Sequence, residues 1–230
     1  MLASNLKELE RAVYNLGYPK VPVCIKPQVS YGERGLRILR EDVDKVNLFL
    51  KYKPTTTISD LSHVMSILKE ANPFPKMMVM EYLPGKEYSV DVLSKNGKVL
   101  TTIVRSRMVT KLGISFVGKI EKKKELEKIA KDIVESMGLE YSINLQFRYS
   151  SEKIPKIMEI NPRVSGTIVM DTASGINMPY LAVKLALGEK IPKNALKLKY
   201  GTKMIRYWEE IFITPSLKIY CKLIKGKNLL

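Results

Sequence analysis

Glu159, Asn161 and Arg163 occupy alternate positions of the segment Met158-Glu159-Ile160-Asn161-Pro162-Arg163. In an extended segment side chains alternate faces, so these three project from one side while Met158 and Ile160 turn toward a core. A carboxylate and an amide oxygen are hard ligands suited to magnesium. A guanidinium grips a phosphate oxygen through its planar fork. A face that offers both points to a nucleoside triphosphate.

A second alternating segment lies just upstream. Ser142, Asn144, Gln146 and Arg148 share one face, and Ile143, Leu145 and Phe147 share the other. Pairing it as a hairpin with Lys156–Asn161 brings Gln146 beside Glu159 and Asn161, so three oxygen donors converge. Polar alternation is also common on the wet face of an antiparallel sheet, and the residues alone leave both readings open.

Two further segments have the right residue types for a nucleotide. Lys26 ends a β-branched run and precedes a loop with Ser30, Gly32 and Gly35. Glycines let backbone N–H groups approach phosphate oxygens, and lysine supplies a point charge. An ordinary turn between strands fits the same residues. In Met80-Glu81-Tyr82-Leu83-Pro84-Gly85-Lys86-Glu87-Tyr88 a strand runs into a tight turn, leaving backbone groups free to read an adenine edge. Alone it reads equally as a connection between lobes.

The elements that must hold these residues follow from periodicity. Leu6, Leu9, Val13 and Leu16 form a helical stripe stopped by Gly17. Strands are expected over Val21–Ile25, Leu36–Leu39, Met77–Leu83, Tyr88–Leu93 and Val99–Val104, with Asn96-Gly97 as a two-residue hairpin turn. Helices are expected over Asp42–Lys51, Asp60–Glu70, Lys122–Met137 and Leu181–Leu187, and an extended stretch over Lys199–Ile213. Asn72-Pro73-Phe74-Pro75 breaks structure and is the expected lobe boundary. The pattern is α+β in two lobes, 1–76 and 77–213, followed by a basic tail over 214–230.

Bulk properties restrict the function classes. The 230 residues are 45% hydrophobic and 27% charged, ordinary for a globular chain. The longest apolar runs are too short to cross a bilayer, and Glu8, Glu10 and Arg11 interrupt the first segment, so neither membrane nor secretory leader is expected. Cys24 and Cys221 give no disulfide framework and no metal spacing, which suits a reducing cytoplasm. The net charge of +16 suggests a polyanion. Acids interleave with bases in Lys119–Glu125, the mark of a solvated face, so nucleic acid is not the expected partner. His63 has no ligand partner nearby, Cys24 is read as a buried strand residue, and Tyr207 and Trp208 as packing residues of the last strand.

Lys26 with its glycine loop, Glu81-Tyr82-Leu83-Pro84-Gly85 with Glu87, and then Gln146 and Glu159-Ile160-Asn161-Pro162-Arg163, in that order, resemble the ATP-grasp superfamily. The likeness is to the large subunit of carbamoyl-phosphate synthase and the smaller carboxylate–amine ligases built like it. It runs from about Leu9 to Trp208 and is densest over Ile143–Gly188. The resemblance implies an ATP-grasp fold with ATP between two lobes and with magnesium, or manganese, as the metal. It implies that Lys26 holds the phosphates under a closing Ser30–Gly35 loop and that Glu81, Tyr82 and Leu83 meet adenine. Glu87 would take the ribose, Gln146, Glu159 and Asn161 the metal, and Arg163 the transferred phosphoryl group. Arg105 and Arg107 fall where related ligases place substrate- or phosphate-facing residues, and exposed strand arginines are the competing reading. The implied activity joins a small-molecule carboxylate to an amine-type nucleophile through an acylphosphate. Two departures stand out: Glu33 replaces a glycine common in relatives, and the N-terminal domain of relatives is missing. A separate chain supplying that domain, or an ATP-binding subunit or remnant without catalysis of its own, is the alternative expectation.

Overall fold

The computed structural model describes residues 1–30, 33–52, 56–111 and 113–210. Two sheets carry the architecture, one of five strands and one of six. The first has the order β1-β5-β2-β3-β4, built from β1 (Leu2–Ala3), β2 (Val23–Pro27), β3 (Arg37–Leu39), β4 (Ile58–Ser59) and β5 (Met77–Glu81). Helices α1 (Leu6–Asn15) and α3 (Leu61–Leu68) contribute Leu9, Val13, Leu61 and Val64 to its core, where they meet Val23, Ile25, Leu39 and Val79. Helix α1 starts where its stripe predicts, because the Asn5 side chain accepts from the Glu8 N–H at 2.9 Å. Helix α2 (Lys45–Lys51) is short and leaves Val46, Phe49 and Leu50 exposed.

Met77–Glu81 pairs with β2 along its whole length, Val23 opposite Glu81 through Pro27 opposite Met77. The first sheet therefore runs to Glu81, and the boundary expected after residue 76 moves past β5. The prolines of Asn72–Pro75 interrupt the chain between α3 and β5, inside the first lobe. Local breaker residues mark a loop; they do not show which sheet the next strand joins.

The second sheet is antiparallel, in the order β10-β9-β6-β7-β8-β11. Its strands are β6 (Glu87–Lys95), β7 (Lys98–Lys111), β8 (Ile114–Glu121), β9 (Tyr141–Tyr149), β10 (Pro155–Asn161) and β11 (Lys203–Ile205). Asn96 and Gly97 both take positive φ, 51° and 66°, which is what a two-residue turn between right-twisted strands requires. Helix α4 (Lys124–Ser136) lays Leu126, Ala130 and Val134 on one face, against Val90, Val92, Leu145 and Phe147. Helices α5 (Val169–Ala173) and α6 (Met178–Ala186) cover part of the other face through Met170, Met178, Leu181 and Leu185.

Strand β8 had no counterpart among the expected elements. Gly118 lowers its strand propensity, and its second half reads as the start of a charged run. The glycine has a packing reason, since a Cβ there would stand 2.9 Å from the Ser106 carbonyl oxygen and 3.2 Å from the Met170 sulfur. The extended stretch expected over Lys199–Ile213 shortens to β11; its end, like the tail 214–230, Gly32 and Cys221, lies outside the described residues.

Candidate nucleotide site between the two sheets

The uncovered part of the second sheet carries its polar residues in cross-strand rows. Glu159 pairs with Gln146, Gln146 with Ser89, and Ser89 with Arg105. One step away Lys156 pairs with Arg148 and Arg148 with Glu87. One step the other way Asn161 pairs with Asn144 and Asn144 with Asp91. Directly paired residues of an antiparallel sheet share a face, so the rows stack into one polar surface.

A cleft of about 620 Å³ opens over this surface. Its other wall comes from the first sheet, through Cys24, Lys26 and Ile38, with Ser30, Glu33 and Leu36 from the loop between β2 and β3. Met80, Glu81, Tyr82 and Leu83 close it at the connection between the sheets. The chain leaves the strand ladder at Glu81, so Tyr82 and Leu83 belong to no strand. Gly85 pins this connection: its N–H donates to the Tyr149 carbonyl at 2.9 Å, while Arg148 Nε donates to the Gly85 carbonyl at 3.0 Å.

Within the cleft the acids, amides and guanidinium groups form one chain of hydrogen bonds. Glu159 accepts from the Gln146 amide and, at 2.7 Å, from the Asn161 amide. Gln146 Oε1 accepts from Arg107 at 2.6 Å, and Arg107 also bridges to Glu87 at 2.8 Å and to the Gly113 carbonyl at 2.5 Å. Arg163 donates to Asn161 Oδ1 and to the Val164 carbonyl, each at 3.1 Å. Among the described residues no three His, Cys, Asp or Glu side chains converge on a point. A cation held here would take the Glu159 carboxylate, the amide oxygens of Gln146 and Asn161 once these turn from Arg107 and Arg163, and oxygens from the ligand itself. Such an all-oxygen set with few protein charges fits magnesium bound together with phosphates.

Several residues sit differently from their expected places. Met158 does not enter the core. The register passes from Ile157 opposite Phe147 to Glu159 opposite Gln146, so Met158 is the extra residue of a β-bulge, 40% exposed and lining the cleft. Arg105 does not reach the cleft and is not an exposed strand arginine; it is 1% exposed. It donates to Asp91 and Thr167, and to Ser165 at 2.7 Å, with Asp171 at 3.4 Å from its Nε. Two carboxyls thus face one buried guanidinium. Burial, then the neighbouring Asp91 charge, pushes the Asp171 carboxyl up to about 9 despite Arg105. A proton retained on Asp171 supplies the hydrogen bond that its buried oxygens otherwise lack.

Gly35 packs against Pro27, where a Cβ would stand 2.6 Å from the ring, and does not line the cleft. Ser30 spends its hydroxyl on the Arg34 carbonyl at 2.5 Å. Cys24 is only half-buried and lines the cleft; burial pushes its thiol up to about 11, so it stays protonated and is no nucleophile. Trp208 and Tyr207 are 81% and 72% exposed and pack no core. Arg148 and Lys156 were absent from the expected site. Arg148 shares the alternation of Gln146, which was the available signal, whereas Lys156 owes its place to its pairing with Arg148 and its ion pair with Glu81.

A family model described as "ATP-grasp in the biosynthetic pathway with Ter operon" matches residues 73–207. The chain belongs to the ATP-grasp family. ATP-grasp ligases use ATP with magnesium. Carbamoyl phosphate synthase large chains from Caldanaerobacter subterraneus subsp. tengcongensis and Thermoanaerobacter pseudethanolicus are each 23% identical over 206 residues, 85% of this chain. The chain spans 17% of the length of either relative. Among solved structures, the ADP complex of an N5-carboxyaminoimidazole ribonucleotide synthetase is similar with a TM-score of 0.62 at 17% identity, over 86% of this chain and 48% of that one. The biotin carboxylase domain of Hydrogenobacter thermophilus 2-oxoglutarate carboxylase, with MgADP and bicarbonate, gives 0.60 at 17%, over 86% and 43%. At these identities the likeness is one of fold, and the ATP-grasp arrangement of two sheets around a cleft is what they share. No helix of the described residues is long and apolar enough to cross a membrane.

Proposed function

We propose that this chain binds Mg-ATP between its two sheets and uses it to activate a small-molecule carboxylate for attack by an amine-type nucleophile, acting in the cytoplasm. The observation that carries the reading is the pairing of Glu159 with Gln146 on the face that looks across the cleft to Lys26. Adenine would lie between Ile38 and Met80 on one side and Met158 on the other, with the Glu81 and Leu83 backbones at its edge. Glu87, steadied by Arg107, would take a ribose hydroxyl. Lys26 would hold the phosphates, and Glu159, Gln146 and Asn161 the metal. The bound metal supplies charge neutralisation at the phosphate oxygens.

The chemistry then needs no protein nucleophile. A carboxylate oxygen attacks the γ-phosphorus, the bond from that phosphorus to the β-phosphate bridging oxygen breaks, and ADP leaves. The nucleophile adds to the acyl carbon of the acylphosphate, gives up its proton to solvent, and phosphate departs with the C–O electron pair. The chain contributes position and charge: Lys26 and Arg163 face the transferred group from opposite walls.

Calorimetry with Mg-ATP and a phosphate-release assay test the reading. Saturable Mg-dependent binding is expected in the wild type and its loss in Glu159→Ala; unchanged binding and turnover in that variant would overturn it. The chain spans 17% of the length of the carbamoyl phosphate synthase chains it matches, and a second reading is that these lobes bind ATP without turnover of their own. Binding without phosphate release, restored to release by a candidate partner chain, would select it.

A further inference from the structure

The polar wall of the cleft continues past Arg163 onto the edge of the second sheet. Gly113, Ile114 and Ser115, around the turn between β7 and β8, line the cleft. The next residue, Phe116, accepts through its carbonyl from the Arg206 N–H at 2.8 Å. The Arg206 guanidinium folds back and donates to the carbonyl of Gly166, itself a cleft residue, at 3.3 Å. Arg163 donates to Val164 at the start of the same short loop, so two guanidinium groups bracket it. The Trp208 ring stands 6.2 Å from that of Phe116, tilted by 52°, and the Lys111 ammonium lies 5.4 Å from the Phe116 ring.

This ledge is not finished by the protein. Trp208 is 81% exposed, so its indole keeps a free face. Neither Lys111 nor Arg206 forms an ion pair among the described residues. One carbonyl contact uses one of the five guanidinium donors, leaving Arg206 a fork for an anion. Planar rings beside a planar guanidinium and an ammonium favour a ligand that is itself planar and negative, because it stacks and pairs at once. An aliphatic acid would use the cations and leave the rings wet; a cationic ligand would be repelled.

We propose that the ledge of Phe116, Trp208, Lys111 and Arg206 is the acceptor-acid subsite and that its ligand class is the aromatic carboxylates. Its role as the acceptor side rests on the Mg-ATP reading of the adjoining cleft. Trp208 is the single tryptophan of the chain, so its emission reports on the ledge directly. In a titration of the full chain, benzoate should change that emission saturably, with acetate and benzyl alcohol weaker by about ten-fold or more. Arg206→Gln should weaken benzoate by about ten-fold at an unchanged melting temperature. By calorimetry Trp208→Phe should retain binding and Trp208→Ala should lose most of it. Equal affinity for acetate and benzoate, no saturation, or indifference to both Arg206→Gln and Trp208→Ala would overturn the proposal. A Mg-ATP titration of the same wild-type sample reads the cleft separately. Mg-ATP binding without benzoate preference sinks the ledge alone, while benzoate saturation without Mg-ATP binding sinks the ATP reading and leaves the ledge as a site for aromatic acids.

Discussion

Gln146 and Glu159 stand directly opposite each other in the β9–β10 pair, amide to carboxylate, one step beyond the bulge at Met158. The bulge decides this pairing. If Met158 instead paired regularly opposite Gln146, Glu159 would fall opposite Leu145 and everything after Ile157 would turn to the opposite face of the sheet.

Deletion of Met158 therefore tests the register itself. The shortened strand is expected to pair regularly, Ile157 opposite Phe147 and Glu159 still opposite Gln146, and so to keep Glu159 and Asn161 beside Gln146 and Asn144. Mg-ATP binding measured by calorimetry should therefore persist, while far-UV circular dichroism stays that of the wild type. Loss of binding with an unchanged spectrum would mean that the strand slips out of this register.

Gly85 is the tightest point of the connection between the sheets. A Cβ there would stand 2.6 Å from the Tyr149 carbonyl oxygen, a backbone atom that has no flexible side chain to move. Gly85→Ala should cost about 1–3 kcal/mol in urea unfolding and weaken Mg-ATP, because Leu83 is displaced with it. A neutral effect on both measurements would mean that the connection can shift to make room for the added Cβ.

Asp171 gives the fold a pH dependence of known sign. The folded chain keeps a proton on this carboxyl up to about 9, and burial is the main cause. The unfolded chain releases that proton near pH 4, so between those values unfolding frees a proton and stability falls as pH rises, by at most about 1.4 kcal/mol per pH unit. Asp171→Asn should flatten the slope of unfolding free energy over this window. An identical slope in the variant would mean that the carboxyl is ionised beside Arg105.

Glu33 sits at φ 60°, the left-handed region that glycine tolerates best. Glu33→Gly should raise stability by up to about 1 kcal/mol, read as an increase in Tm, and should tighten Mg-ATP by removing a carboxylate from the phosphate end. A weaker variant on both counts would mean that the Glu33 side chain, which lies 3.6 Å from where a Cβ on Gly113 would stand, helps to close the cleft.

Much of this was legible in the alternation of two strands. Ser142 to Arg148 and Glu159 to Asn161 announce a polar face, and Asn96-Gly97 announces its hairpin, because these signals are local. What stayed hidden depends on partners remote in sequence. A bulge exists only relative to the strand across from it, so Met158 read as a core residue. Arg105 resembles any strand arginine until Asp91, Ser165, Thr167 and Asp171 close over it. Met77–Glu81 reads as a strand, yet only its pairing with Val23–Pro27 assigns it to the first sheet. Trp208 looked like a packing residue because indoles usually are; its exposure follows from the edge position of β11.

The ion pair of Lys156 with Glu81 joins the second sheet to the first, and both side chains are nearly half exposed. Such a pair is screened by salt and contributes less than about 1 kcal/mol. An ion pair this weak adds little to hold the two walls together. A polyanion lying between Lys26 and Arg163 would then add a tie of its own between the halves, and the measured affinity for it would contain any work of bringing them together.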